Sequence, residues 1–165
     1  MSYDLPGVLT LASAVCAGVT GGVYLGFAVI VMPALRSLPS SEAVATMQGI
    51  NISAVKLPFM AIFFGGTAAA LALIVAEAAI GGTALGASRR LIGAGLVLAS
   101  LGITMVRNVP LNNRLAQVPP NLGNCRDSWK TFDQGWSRAN LLRATASIVA
   151  TILFVDSLSL SPGTD

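Results

Sequence analysis

Four long apolar runs, separated by three polar breaks, set the pattern of this chain. The first, Gly7 to Met32, carries no charge; the others extend from Leu57 to Ile80, Leu91 to Val106 and Ala144 to Leu160. A helix that crosses a bilayer needs about 20 predominantly apolar residues. The runs therefore predict spanning helices over about 7–32, 57–80, 91–106 and 128–160, the last extended backwards by a polar lead-in. The first is too long for a signal-peptide core of roughly 7–15 residues, and no basic stretch precedes it, so it is expected to stay as a permanent helix. The expected fold is all-α: residues 1–165 form one domain, an integral membrane four-helix bundle. An interfacial helix lies in its first loop, and a polar loop leads into its fourth helix.

Smaller features punctuate the runs. Gly18, Gly22 and Gly26 recur every four residues in the first helix, a small-residue ridge that admits another helix backbone, either within the bundle or from a second copy in a homo-oligomer. Met32-Pro33 is expected to close that helix. Between Leu35 and Lys56, a Ser40 or Ser41 cap is followed at helical spacing by Ala43, Val44, Met47 and Ile50 or Asn51. That segment is too short and polar to span, and is expected to lie at the interface under the bundle. Pro58 suits the first turn of the second helix. This helix ends near Glu77, ahead of a Gly81-Gly82 turn. Glu77, Asp156, Arg89 and Arg90 should meet at one membrane face, read as an ion-pair cluster rather than a proton path, since a relay needs acids deeper in the bundle.

Composition agrees with this picture. The chain is 54% hydrophobic and 10% charged, with a mean hydropathy of +0.74; soluble domains carry about 25% charged residues. A net charge of +3 without a basic aromatic stripe argues against nucleic-acid binding. Cys16 and Cys125 are placed too differently to pair. The absence of histidine removes the commonest haem, zinc and copper ligand. Met32, Met47, Met60 and Met105 are soft enough for Cu(I), but core filling is their commoner job, so no metal is expected. Arg89 and Arg90 lie on one membrane face; Arg36, Lys56 and six further basic residues lie on the other. The positive-inside rule thus favours a cytoplasmic polar segment, although the Arg89-Arg90 pair in a short turn argues the other way. A multi-pass protein of a bacterial inner membrane, in contact with lipid, is expected.

The polar chemistry is concentrated between Arg107 and Arg143, which holds six of the ten basic residues, both tryptophans and most of the asparagines. Asn108-Val109-Pro110-Leu111-Asn112-Asn113 is expected to end the third helix at its proline. Val118 to Asn124 reads as a turn-rich connection, and Asp127 or Ser128 as the next cap. Trp129, Phe132 or Asp133, Trp136, Asn140 and Arg143 then follow at steps of three and four, along one face of a helix entering the fourth span. Two readings of that stripe stay open. One is an interfacial aromatic belt with snorkelling arginines. The other is the wall of a pocket facing Asn108, Asn112 and Asn51, which gives the amides something to bond.

The runs NVPLNNRL and WKTFDQGWSRANLLR resemble the signature of the anthrone oxygenase family of small four-helix membrane proteins. VMPAL (Val31 to Leu35), MQGIN (Met47 to Asn51) and Pro58-Phe59 agree, in the same order. Leu141 departs from the pattern, because a histidine is expected beside the asparagine of the last motif in many relatives. The resemblance implies a cofactor-free oxygenase that converts a polycyclic phenolic ketone, an anthrone, to a quinone with O2. It implies Asn108, Asn112, Asn140 and Arg143 as the catalytic donors that stabilise an enolate oxygen. It implies Trp129, Phe132 and Trp136 around the flat rings, with Asn51 and Met47 completing the substrate site. Asp133 is the acid of the motif helix placed to act as a base; an exposed salt bridge to Lys130 or Arg126 is the competing reading. Two other classes remain: a non-catalytic membrane module that binds a quinone, lipid or other hydrophobic molecule, and an accessory subunit that packs through the glycine ridge.

Overall fold

A computed structural model describes residues 5–81, 85–120 and 125–160. Among them are five helices and no strand: α1 Leu5–Arg36, α2 Ser40–Ala54, α3 Leu57–Ile80, α4 Leu85–Ala116 and α5 Cys125–Ser159. All but α2 are long and apolar enough to cross a membrane. They form a ring in which α5 packs along α1 and α4, and α3 closes the other side against the same two. The chain is an all-α four-helix membrane bundle.

The bundle is built inside-out relative to a soluble one. The inward face of α1 carries Thr10, Ser13, Ala14, Ala17, Thr20 and Gly21, whereas Val8, Leu11, Val15 and Val19 point outward into lipid. Lipid is as apolar as the interior, so large side chains gain nothing by burial and close approach of small residues holds the helices together. Most inward hydroxyls are satisfied locally: Thr10, Thr20, Thr67, Thr104 and Thr151 each donate to the carbonyl four residues earlier, whereas Ser13 Oγ has no partner. The predicted glycine ridge is divided. Gly18 lies against Thr151, but a Cβ placed on Gly22 or Gly26 would meet nothing within 4 Å; the closest glycine approach on α1 is at Gly21, against Ser147 and Ile148 of α5.

The tightest helix contact is elsewhere. A Cβ on Gly66 would lie 2.5 Å from the Cβ of Cys16, whereas one on the adjacent Gly65 would meet nothing within 4 Å. Gly66→Ala is therefore expected to lower the stability of the detergent-solubilised protein by about 1–3 kcal/mol in SDS-induced unfolding. Gly65→Ala should leave it unchanged. Equal effects of the two would place the α1–α3 contact differently.

The prolines do not end the helices, contrary to the sequence expectation at Met32-Pro33 and Asn108-Val109-Pro110. In α1 the residues Phe27–Val31 form a π-turn, and the Met32 N–H donates to the Phe27 carbonyl. Thr104–Asn108 of α4 do the same, with the Val109 N–H donating to Thr104. A proline removes a donor from the ladder; one widened turn just before it re-pairs the backbone, and both helices resume for another one or two turns. Asn108 and Asn112 consequently share one helical face instead of lying on either side of a break. The start of α2 is corrected too: Pro39 precedes it and accepts from the Ala43 N–H, without a serine side-chain cap. The third span is longer than predicted, and α5 is helical from Cys125, before Asp127. Gly82 and residues 121–124 of the turn-rich connection predicted from Val118 to Asn124 fall outside the described residues.

Two cores result. In the bundle, Ala14, Ala17, Ala70, Leu73, Ala94, Ala150 and Phe154 pack together. Beyond it, the extended ends of α1 and α4 and the start of α5 enclose α2 in a second layer of Met32, Leu35, Val44, Met47, Leu115, Trp129, Phe132 and Trp136. Gln48 pins α2 there by donating to the Leu115 and Val118 carbonyls, at 2.9 Å each. The Leu115 carbonyl also accepts from the Val118 N–H at 3.0 Å, so the side chain reinforces a turn that already closes the end of α4. At the other end of the bundle the predicted ion pairs form: Arg90 Nε to Glu77 Oε1 at 2.6 Å and Arg89 Nε to Asp156 Oδ2 at 2.8 Å. Gly81 caps α3 there with φ +68°, a left-handed conformation that glycine adopts without a Cβ penalty.

Candidate functional site

Between the two cores lies a cavity of about 660 Å³, within the roughly 300–1,000 Å³ range of small-molecule sites. Both π-turns contribute to it, through Phe27 and through Thr104 and Asn108; α2 supplies Asn51, α3 supplies Phe59 and Met60, and α5 supplies Trp136 and Arg143. Widened turns re-aim the residues that follow them, which is why such turns recur at functional sites.

The centre of the wall is Arg143. It is only 6% exposed, and its guanidinium lies between two rings, 4.2 Å from the Tyr24 centroid and 5.5 Å from that of Trp136. Nη2 donates to Asn140 Oδ1 at 2.9 Å and Nη1 to Thr104 Oγ1 at 3.3 Å. Both partners are neutral, and no ion pair reaches Arg143 among the described residues. Nε has no partner. The Trp136 indole N–H also lacks one, although the residue is 4% exposed. Asn108, 1% exposed, donates from Nδ2 to the Trp136 carbonyl at 3.4 Å, which turns its unpaired Oδ1 the other way. Asn112 Oδ1 is buried and unpaired as well. A buried polar atom without a partner costs about 1–3 kcal/mol. All four belong to residues that line one hollow, each atom just behind its surface, so a polar ligand there has unmet donors and acceptors to recruit.

The sequence candidates divide into two sets. Asn51, Asn108, Asn112, Trp136 and Arg143 all line the cavity. Asn140 stands one step behind: its Nδ2 donates to the Tyr24 carbonyl at 2.8 Å and its Oδ1 holds Arg143, so it positions the cation and ties α5 to α1. Met47, Trp129 and Phe132 do not line it. Met47 is fully buried in the second core. Trp129, Phe132 and Trp136 stack on one another, with centroids 5.7 and 6.0 Å apart, rather than around a ligand. The i, i+3, i+7 stripe is real, but docking of α2 covers its first two rings. Asp133 is likewise outside the cavity wall. Its carboxylate takes a two-pronged bond from Arg36, at 2.8 Å each, and accepts from Ser137, in place of the expected Lys130 or Arg126.

Tyr24, Phe27 and Thr104 were not singled out by the sequence. Tyr24 is 4% exposed beneath the guanidinium, and Phe27 flanks Trp136 at 5.4 Å. Thr104 had a signal, since it begins a stripe of polar residues at i, i+4 and i+8 with Asn108 and Asn112. Tyr24 and Phe27 had none, because aromatics are unremarkable in an apolar span. Of the four soft sulfur candidates, Met60 lines the cavity, Met32 and Met47 are buried in the second core, and Met105 is exposed to lipid, so they do not converge on one ligand set. Among the described residues no group of three or more His, Cys, Asp or Glu side chains gathers. Cys16 and Cys125 are both free thiols.

The family model described as anthrone oxygenase matches residues 59–153, more than half of the chain. No curated protein and no solved structure matches it.

Proposed function

The chain belongs to the anthrone oxygenase family, and from that premise we propose that it oxidises an anthrone-type polycyclic phenol with O2 in the cavity that all five helices line, without a cofactor. The overall change is ring CH2 plus O2 to ring C=O plus water. Loss of a proton from the CH2 gives an enolate, which passes one electron to O2. The radical and superoxide combine at the ring carbon, and the protonated hydroperoxide loses water to leave the quinone carbonyl. In this scheme the protein holds the enolate oxygen and keeps the site dry. Preorganised donors at a developing anion are the largest single source of rate enhancement in many enzymes.

The observation that carries this reading is the guanidinium of Arg143, buried beside neutral partners in a residue that lines the cavity, with its own Nε and the Trp136 indole N–H both unpaired just behind the wall. Trp136, Phe27 and Phe59 supply flat apolar surface for the rings. The test is quinone formation, followed by absorbance, from a model anthrone under air with the purified protein, with O2 uptake measured in parallel. One O2 consumed per quinone above the rate in empty micelles supports the reading; no acceleration overturns it.

Asp133 has no part in this scheme. Asp133→Asn is expected to leave turnover within about twofold and to lower stability by at most about 1 kcal/mol, the usual worth of a partly exposed ion pair. A loss of turnover beyond tenfold would restore the carboxylate as base.

The second reading is a binding module for a hydrophobic phenol or quinone. It is favoured by the wall itself, in which no carboxylate appears among the described residues. Native mass spectrometry that finds a stable, unaltered aromatic ligand would support it.

A further inference from the structure

We propose that the cavity takes its ligand as a ready-made anion, a phenolate or enolate that also carries a neutral hydroxyl, so that the protein selects the ionised form rather than creating it. The proposal deepens the oxygenase reading and rests on it for the substrate class, an acidic polycyclic phenol. Its grounds are the charges around the cavity.

Every described acid is committed or distant. Asp133 is held by Arg36 and Ser137 outside the wall. Glu77 and Asp156 pair with Arg90 and Arg89 at the far end of the bundle. Glu42 is exposed in the first turn of α2, and Asp127 lines a different groove, beside Arg114 and Ser128. Facing Arg143 are Tyr24 from α1, Thr104 and Asn108 from α4, Trp136 and Asn140 from α5, and, across the hollow, Asn51 from α2 with Phe59 and Met60 from α3. Apart from Arg143, Tyr24 is the one titratable group in that set, and its ring lies flat beneath the cation.

A wall so furnished has a fixed positive charge and no proton acceptor of carboxylate or imidazole type. A buried cation surrounded by neutral partners is destabilising until an anion arrives. The unpaired Arg143 Nε and Trp136 Nε1, on a guanidinium and a ring whose centre lies 5.5 Å from it, are the donors left for an ionised oxygen. Asn108 Oδ1, oriented by the bond from its amide to the Trp136 carbonyl, accepts from a second hydroxyl. The anthrone-type substrate gives up its ring CH2 proton, or the hydroxyl proton of its enol tautomer, to bulk water before entry; both losses give the same anion, and no base from this chain is needed.

The probe is 2,6-dihydroxyanthraquinone, which is already oxidised and whose first ionisation leaves one neutral hydroxyl and moves its absorbance to longer wavelength. It is titrated with pH in the presence of the detergent-solubilised protein, against empty micelles. The expected result is an ionisation midpoint lowered by at least about one pH unit in the wild type, a tenfold preference for the anion. Arg143→Met should remove the shift and Arg143→Lys should retain part of it. A probe that fails to bind, or that titrates in the wild type at or above its midpoint in micelles, overturns the proposal whether or not the variants fold. Because the probe cannot turn over, the two readings fail separately. A shifted midpoint without anthrone turnover removes the oxygenase and leaves the anion site. Turnover with an unshifted probe does the reverse.

Discussion

Arg143→Met is expected to lower quinone formation by a factor of about 10²–10³, the usual effect of deleting one preorganised donor from an oxyanion site. The guanidinium is held by the rings of Tyr24 and Trp136, 4.2 and 5.5 Å away, and at its two Nη atoms by Thr104 and Asn140. It therefore needs no rearrangement when negative charge develops beside it. Methionine fills a similar length of the wall without the charge. The same change relieves an unpaired buried cation, which is often neutral or stabilising. It also leaves the buried Asn140 Oδ1 without its donor, so stability is expected to move by no more than about 1–3 kcal/mol. Lost turnover in a variant that still unfolds cooperatively is the signature to look for. Arg143→Lys keeps the charge but not the planar fork, so it should fall between the two. Turnover within about threefold of wild type in Arg143→Met would remove the central group of the proposed site.

Glu77→Ala is expected to have the largest effect on stability, about 3 kcal/mol in SDS-induced unfolding, the cost of leaving one member of a buried pair alone. Glu77 is 3% exposed at the end of α3, and its Oε1 lies 2.6 Å from Arg90 Nε. The neighbouring pair offers the contrast. The Asp156 side chain is 46% exposed, so Asp156→Ala should cost no more than about 1 kcal/mol. Neither change should alter turnover per folded molecule, because Glu77 stands roughly 25 Å along α3 from Met60 in the cavity wall. Equal losses from the two variants would show that burial does not separate these pairs.

Much of the candidate site was legible because it is polar in an oily chain. Asn51, Asn108, Asn112, Trp136 and Arg143 stood out for that reason, and they line one cavity. Spacing also placed Trp129, Phe132 and Trp136 on a common stripe, where they stack. The depth of each ring was not legible. Met47 and Leu115, distant in the chain, pack against the stripe and leave Trp136 at the cavity. The Arg36–Asp133 pair joins residues 97 positions apart, and the nearer partners Lys130 and Arg126 are not used. Nothing local distinguishes these outcomes.

By itself the sequence determined that four segments enter the membrane, that α2 does not, and that polar chemistry gathers at one end. Each follows from the cost of placing polar groups in hydrocarbon, which is paid segment by segment. Only the tertiary structure decided which face of each helix turns inward. Hydropathy is silent on that point, because lipid and bundle interior are equally apolar, and the choice falls to close contacts such as Gly66 on Cys16 and Gly93 on Phe154. It decided, too, that α1 and α4 continue through Pro33 and Pro110. A π-turn re-pairs the backbone there once the neighbouring helices hold it, and that brings Thr104 against Arg143 and Asn108 against Trp136.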